Sequence, residues 1–309
     1  MLLRRDFVTN SNDSHWLSNP ARPLTGFARI IGDERTERSL RTRLGVLMVQ
    51  QRLAGTDGVP GDKFDTGLLE SVVFNNRSYG GELVREDLVK LCEEHPTVVL
   101  GDGTTVALQP ACQALRGWDG HANLDSTGAH LFREFMLRRP PDWLSVPFDA
   151  ADPVHTPRTL AAGNPATLQA LGEAVRVLQD NGLPLDAALG ALQSEPRGTV
   201  RIPIHGGHED EGVFNMIIAP LKGTGGYAKV VHGSSFVQVT GFTADGPRSR
   251  AILTYSQSTD PKSPYFADQT RMFSDKHWVD LPFTERDIRQ DPDLRHYTVR
   301  SQSGSLRRR

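Results

Sequence analysis

The stretch Thr199-Val-Arg-Ile-Pro-Ile-His205 decides the fold class, because apolar and polar side chains alternate along it. A period of two is typical of a β-strand with one buried face. Turn residues such as Gly206-Gly207 follow it, and four more stretches share the pattern: residues 213–219, 227–231, 235–242 and 250–255. No helical stretch separates these strands, so we expect them to pair as an antiparallel β meander.

The chain before this stretch has the periodicity of helices. The clearest helix has Asn164 as its cap and Pro165 in its first turn, with apolar residues every three or four positions after them. Other helices are expected to begin near Thr36, Gly67, Glu82 and Ser126. Helices followed by strands predict an α+β fold.

This pattern divides the 309 residues into consecutive regions. We expect a helical region over about 36–195, a β-rich region over about 198–257 and a final helix over about 262–273. Residues 301–309 are polar and end in three arginines, so they are expected to form a disordered basic tail.

The charge balance excludes several classes of partner. There are 35 Lys and Arg against 37 Asp and Glu, and this argues against a nucleic-acid-binding or membrane-surface protein. Apolar runs are only a few residues long, too short to span a membrane. The first residues lack the apolar core of an export signal, so the chain as it stands is expected to stay in the cytoplasm.

The two cysteines, Cys92 and Cys112, are too few for a closed four-thiolate zinc site. They form either one disulfide or two buried thiols, and the sequence leaves both open. The segment from His205 through His208 to Glu211 offers two imidazoles and three carboxylates that could bind a metal. A charged hairpin tip is the favoured interpretation, and no metal or cofactor site is predicted.

The segment Asn10-Ser-Asn-Asp-Ser14 allows two interpretations. Such clusters form Asx turns, which is a purely structural role. Alternatively, a rigidly held carboxamide donates a hydrogen bond to an oxyanion without carrying charge. The charged residues of the following segment, 33–43, are expected to form a solvated helix face, with Glu34 paired to Arg38 and Glu37 to Arg41.

Longer motifs resemble a known family. Phe7-Val-Thr-Asn-Ser-Asn-Asp-Ser-His-Trp-Leu-Ser-Asn-Pro20, Gly32-Asp-Glu-Arg-Thr36 and Val231-His-Gly-Ser-Ser235 resemble the penicillin acylase family of N-terminal-nucleophile hydrolases, and within it the acyl-homoserine-lactone and aculeacin A acylases. The resemblance covers nearly the whole chain. It implies part of an αββα sandwich, and cleavage of an acylated amide through an acyl-enzyme.

The resemblance also implies roles for individual residues. The second Asn of the motif falls on Asn12, which would contact the oxyanion. The Arg that orients it falls on Arg35 by motif alignment, and Arg41 is a competing match. The family's nucleophile is a serine at the start of its second subunit. This chain resembles the later part of that subunit, so the nucleophile is expected upstream of Met1.

The expected partners follow from the same resemblance. They are the α subunit, the first part of the β subunit and a small acylated amide substrate. The full-length family member would be periplasmic or secreted, and this chain would be inactive alone. The alternative is a non-catalytic remnant that binds an acyl chain or a partner protein.

Overall fold

A computed structural model of the chain describes residues 3–299, so the basic tail expected over 301–309 lies outside the described residues. The α-helices are α1 Leu40–Leu53, α2 Thr66–Val73, α3 Tyr79–Glu94, α4 Gln109–Gly117, α5 Ala129–Met136, α6 Pro165–Asp180, α7 Leu189–Leu192, α8 Asp268–Ser274 and α9 Glu285–Gln290. The strands are β1 Thr97–Val99, β2 Thr105–Ala107, β3 Leu144–Val146, β4 Arg158–Leu160, β5 Ser194–Arg197, β6 Val200–Pro203, β7 Ile217–Ile218, β8 His232–Gly233, β9 Phe236–Thr243, β10 Gly246–Leu253 and β11 Val279–Leu281.

The α+β fold class is confirmed: helices dominate before residue 194, and antiparallel strands follow. Helix α6 begins as predicted, with the Asn164 side chain accepting a hydrogen bond from the Ala166 amide. Helix α1 begins later than expected. Its cap is Ser39, whose hydroxyl accepts from the Thr42 amide, rather than Thr36.

The strands form several small sheets rather than one continuous meander. β5 pairs with β6, β7 with β8, and β10 lies between β9 and β11, always antiparallel. The stretch 227–231 makes only an isolated bridge, between Tyr227 and Leu221. Two glycines with positive φ, Gly223 and Gly226, tighten the chain just before it, and this interrupts regular pairing.

Other elements differ from the sequence expectation as well. Two short hairpins, β1–β2 and β3–β4, lie within the region expected to be helical. The last helices are α8 and α9, and α8 begins only at Asp268 because residues 258–265 form side-chain-stabilised turns. There the Asp260 and Ser263 side chains accept hydrogen bonds from nearby backbone amides, which competes with helix formation.

Two hydrophobic cores hold these elements together. The larger core is formed mainly by α1 and α3 to α6, with Leu44, Leu88 and Phe132 fully buried. The smaller core lies between the β9–β10–β11 sheet and α8, around Ile252 and Phe273. Cys92 of α3 and Cys112 of α4 form a disulfide inside the larger core, which decides between the two states that the sequence left open.

Within residues 3–299, no helix is both long enough and apolar enough to cross a membrane.

Candidate functional site

The segment 10–14 is a tight polar turn at the surface. The Asn10 side chain accepts from the Asn12 amide at 2.8 Å and donates to the Asp13 carbonyl at 3.0 Å, so the Asx turn expected from the sequence is present. Asn12 itself has a φ of 60°, a left-handed conformation that asparagine tolerates better than most residues. The turn leaves the Asn12 side chain exposed.

A short 3₁₀ turn, His15–Leu17, anchors this segment to the body of the protein. The Ser14 hydroxyl caps it by accepting from the Trp16 amide. Trp16 and Leu17 are only 2% and 1% exposed and belong to the larger core. The polar turn is therefore anchored to the larger core through the residues that directly follow it.

Arg41, on the first turn of α1, holds Asn12. Its Nη2 donates to the Asn12 Oδ1 at 2.8 Å and to the Ser11 carbonyl at 2.6 Å. A guanidinium only donates, so the oxygen of the Asn12 amide must face Arg41 and the NH2 group must point away from it. Within residues 3–299 that NH2 group donates to no other residue, so it is available to an acceptor outside the turn.

Arg41 itself is half-buried. Burial lowers the pKa of its guanidinium, and the charges of Glu209 and Asp13 oppose that shift. Arginine stays protonated in proteins, so this contact always presents a cation to the oxygen of Asn12.

Arg35, the other match for the orienting arginine, is exposed and has a φ of 56°. Within the described part of the chain, its guanidinium makes no hydrogen bond or ion pair, whereas Arg41 contacts Asn12 directly. Of the two candidates, only Arg41 is brought together with Asn12.

The expected solvated helix face over 33–43 is wrong. Glu34 accepts from the Gly26 and Phe27 amides and lies 3.3 Å from His15 Nε2, rather than pairing with Arg38. Arg38 is buried and pairs with Asp13 at 2.8 Å. Because α1 begins only at Leu40, residues 33–39 are a loop, and helical i,i+4 pairing does not apply to them.

Arg43, further along α1, is also not on a solvated helix face. It is fully buried and donates from Nε to the Val154 carbonyl at 2.8 Å and from Nη2 to the Pro157 carbonyl at 2.8 Å. It therefore ties α1 to the loop before β4.

The segment 205–211 is a largely buried polar turn rather than a charged hairpin tip, and only Glu209 within it is exposed. His205 is fully buried; its Nε2 lies 2.8 Å from the Phe273 carbonyl, and its Nδ1 lies 3.1 Å from the side-chain nitrogens of Asn76 and Asn215. Burial lowers the pKa of His205 to about 3, so the ring is neutral.

His208, Asp210 and Glu211 of this turn also make structural contacts, whereas Glu209 is exposed. The His208 ring accepts from the Asp210 amide, and Glu211 pairs with buried Arg133 at 2.8 Å. Among residues 3–299, no three His, Cys, Asp or Glu side chains converge to hold a metal ion.

The sequence analysis missed Asp13 and Arg38 as parts of this site. The available signal was the acidic residue directly after Asn12, followed about 25 positions later by Arg38, Ser39 and Thr42 at the start of a helix. A carboxylate commonly binds the free amides of a helix N-terminus, but sequence separation alone does not say which one.

The fold and the turn together define an α+β chain that presents an oriented, uncharged amide donor. The chain belongs to the penicillin amidase family, because the family model described as penicillin amidase matches residues 1–290.

Comparison with curated proteins identifies acylases as relatives. The chain is 50% identical over 303 residues to the aculeacin-A acylase of Actinoplanes utahensis. The alignment covers 96% of this chain and 37% of that protein. It is 37% identical over 299 residues to the acyl-homoserine lactone acylase PvdQ of Pseudomonas syringae, covering 94% of this chain and 37% of that protein. The chain thus spans little more than a third of the length of these relatives.

Among solved structures, a thermostable penicillin G acylase from Alcaligenes faecalis aligns with a TM-score of 0.38 and 16% sequence identity. The alignment covers 82% of this chain and 53% of that one.

Proposed function

We propose that this chain is part of an acylase that hydrolyses the amide bond of an acylated amine, and that Asn12 donates a hydrogen bond to the oxyanion of the tetrahedral intermediate. The single observation that carries the proposal is the contact of Arg41 with Asn12 in a penicillin amidase family chain. The contact fixes the amide oxygen and so aims the N–H groups outward.

An amide is well suited to this role. It donates a hydrogen bond to the oxyanion without carrying a full positive charge. A full positive charge would also bind the carboxylate of the released acid. A donor that is fixed before the reaction does not have to reorganise as charge develops, and this is why such donors contribute strongly to the rate. Arg41 supplies that fixation, because its cation always prefers the amide oxygen.

The remainder of the enzyme is proposed to supply the nucleophile. The relatives are much longer than the matched region, and this supports a larger assembly that includes an α subunit and the first part of the β subunit. The proposed fold of that assembly is the αββα sandwich, completed by strands from the rest of the enzyme. On its own, the chain is expected to release no acid from a substrate.

The proposed substrates are acyl-homoserine lactones or acylated lipopeptides, since the relatives' names specify an acyl-homoserine lactone and aculeacin A. The proposed location of the assembled enzyme is the periplasm or the outside of the cell. The Cys92–Cys112 disulfide supports an oxidising compartment.

Two arginine variants of the assembled enzyme test the proposal. Acid release is followed from an N-acyl-homoserine lactone and from an acylated lipopeptide. Arg41→Ala should lower kcat by about 100-fold, because loss of orientation at a reacting centre has effects of this size. Arg35→Ala, the matched control, should leave the rate unchanged. Equal effects of the two variants would refute the proposed role of Arg41, and absence of acid release from both substrates would refute the acylase assignment.

A further inference from the structure

We propose that Asp13 is a positioning residue for the acylase reaction: its carboxylate fastens the turn that carries Asn12 to the start of the helix that carries Arg41. This inference rests on the proposed function, and it adds a residue that acts through Asn12 rather than on the substrate.

Asp13 uses both carboxylate oxygens for this purpose. Oδ1 accepts from the Ser14 amide at 2.7 Å and from Arg38 Nη1 at 2.8 Å. Oδ2 accepts from the Ser39 amide at 3.1 Å and from the Thr42 hydroxyl at 2.8 Å. Three of these four donors lie on or next to the first turn of α1, more than twenty residues further along the chain.

The positions of these donors decide what the carboxylate fixes. Ser39 is the cap of α1, and Thr42 directly follows Arg41. Asp13 directly follows Asn12. The bonds of Asp13 to Ser39 and Thr42 therefore lie beside the bond between Arg41 and Asn12, and two adjacent cross-links constrain both the distance and the angle between turn and helix.

A third contact brings the turn close to α1. Gly45 lies one helical turn after Arg41, and a Cβ at this position would come within 3.2 Å of the Ser11 hydroxyl. The small residue lets the turn rest directly on the helix. Ser11, Asn12 and Asp13 thus all lie against the N-terminal part of α1.

Only a carboxylate can satisfy this set of donors. All four partners donate, so an acceptor is needed at both oxygens. An asparagine would turn an NH2 group towards one pair of donors, losing those bonds and placing donors against each other. Burial alone raises the pKa of Asp13, but hydrogen bonds from Ser14, Thr42 and Ser39 and the charge of Arg38 leave it below its ordinary value, so the group is ionised near neutral pH.

The test is a double-mutant cycle in the assembled enzyme, with a long-chain N-acyl-homoserine lactone as substrate. Asp13→Asn is combined with Asn12→Gly, because glycine accepts the positive φ of position 12 without strain. With Asn12 present, Asp13→Asn should lower kcat by about 10- to 100-fold, since a displacement of about 1 Å has effects of this order. KM should hardly change, because the carboxylate does not touch the substrate.

In the Asn12→Gly background, Asp13→Asn should lower kcat by less than about threefold. The effects of two substitutions are not additive when the residues act as a unit. Asp102→Asn is the matched control. Asp102 also accepts from a backbone amide, that of Thr104 at 3.0 Å, and pairs with Arg176, but it lies in the β1–β2 turn. This control should leave kcat unchanged.

Thr42→Val provides a second variant should Asp13→Asn fail to fold. It removes one donor to Asp13 while keeping the side-chain shape, and it should reduce kcat several-fold with Asn12 present and not in its absence. Equal losses in both Asn12 backgrounds would show a merely structural role and overturn the inference. Full activity of Asp13→Asn would also overturn it. Full activity of Asn12→Gly alone would instead overturn the proposed role of Asn12, so the two failures are distinguishable.

Discussion

Replacing Glu211 by glutamine should destabilise the protein by about 3–5 kcal/mol, the cost of leaving one charge of a buried ion pair without its partner. Glu211 is fully buried and Arg133 is 1% exposed. The Glu211 Oε2 accepts from Arg133 Nε at 2.8 Å and from the His208 amide at 2.5 Å. Within the described chain the other hydrogen bonds of Arg133 go to the uncharged Gln193 side chain and the Gly206 carbonyl, so no second carboxylate bonded to Arg133 replaces the lost charge. The expected effect is therefore in the range for buried pairs.

The assay is urea denaturation of the assembled enzyme, followed by far-UV circular dichroism. The control is Glu93→Gln, which breaks the exposed pair of Glu93 with Arg116 and should cost at most about 1 kcal/mol. A second check is the double variant Arg133→Met/Glu211→Gln, which leaves no buried charge of the pair and should lose less than the sum of the single variants. If Glu211→Gln lowers the free energy of unfolding by less than about 1 kcal/mol, the reasoning is refuted, because an exposed ion pair contributes that much.

Three further outcomes can be measured on the same enzyme. Gly212→Ala should cost about 1–3 kcal/mol in urea denaturation, because φ is 73° there and a Cβ would come within 2.6 Å of the Leu40 Cβ. Replacing both Cys92 and Cys112 by Ala should lower stability by about 3 kcal/mol, the value for a closed loop of this size, and thermal melting measures it. Burial lowers the pKa of His130 to about 4, and an unfolded histidine titrates near 6.5. The unfolded chain therefore binds more protons between these values, so unfolding free energy should fall as pH drops from about 6.5 to 4, and His130→Gln should flatten this slope.

Much of the fold was predictable because the signals are local. The cap Asn164 and the following Pro165 place the start of α6 correctly, since both residues act within one helical turn. The change to a period of two predicts strands from about residue 198, and it misses β5, which occupies 194–197. Which strands share a sheet depends on long-range contacts that periodicity does not contain, and so the small separate sheets were not predicted.

The site was predictable only in part. The motif singles out Asn12 as the candidate donor, and Arg41 was one of two arginines that sequence spacing could not separate. The choice between Arg35 and Arg41 depends on where α1 begins. Because α1 begins at Leu40, Arg41 lies on its first helical turn and contacts Asn12, while Arg35 lies in an exposed loop. The role of Asp13 likewise depends on a contact between segments more than twenty residues apart.

For the segment 205–211 the sequence-based expectation was wrong. Its two histidines and three carboxylates suggested a charged surface, yet the structure buries His205 and Glu211 completely. Burial is possible because Arg133, from α5, supplies the opposite charge. The sequence shows no relation between α5 and this turn, since 78 residues separate the two partners.

The most direct test of the central claim is kcat of the Asn12→Asp variant of the assembled enzyme, with an N-acyl-homoserine lactone as substrate. Aspartate keeps the shape of the side chain and the oxygen that Arg41 binds, but it replaces the NH2 donor by a charged oxygen that only accepts and that repels an oxyanion. If Asn12 stabilises the oxyanion, kcat should fall by at least about 100- to 1,000-fold, which is the effect of losing one such donor before charge repulsion is added. Thermal melting should stay close to that of the unsubstituted enzyme. A variant that folds and keeps its full kcat would contradict the account.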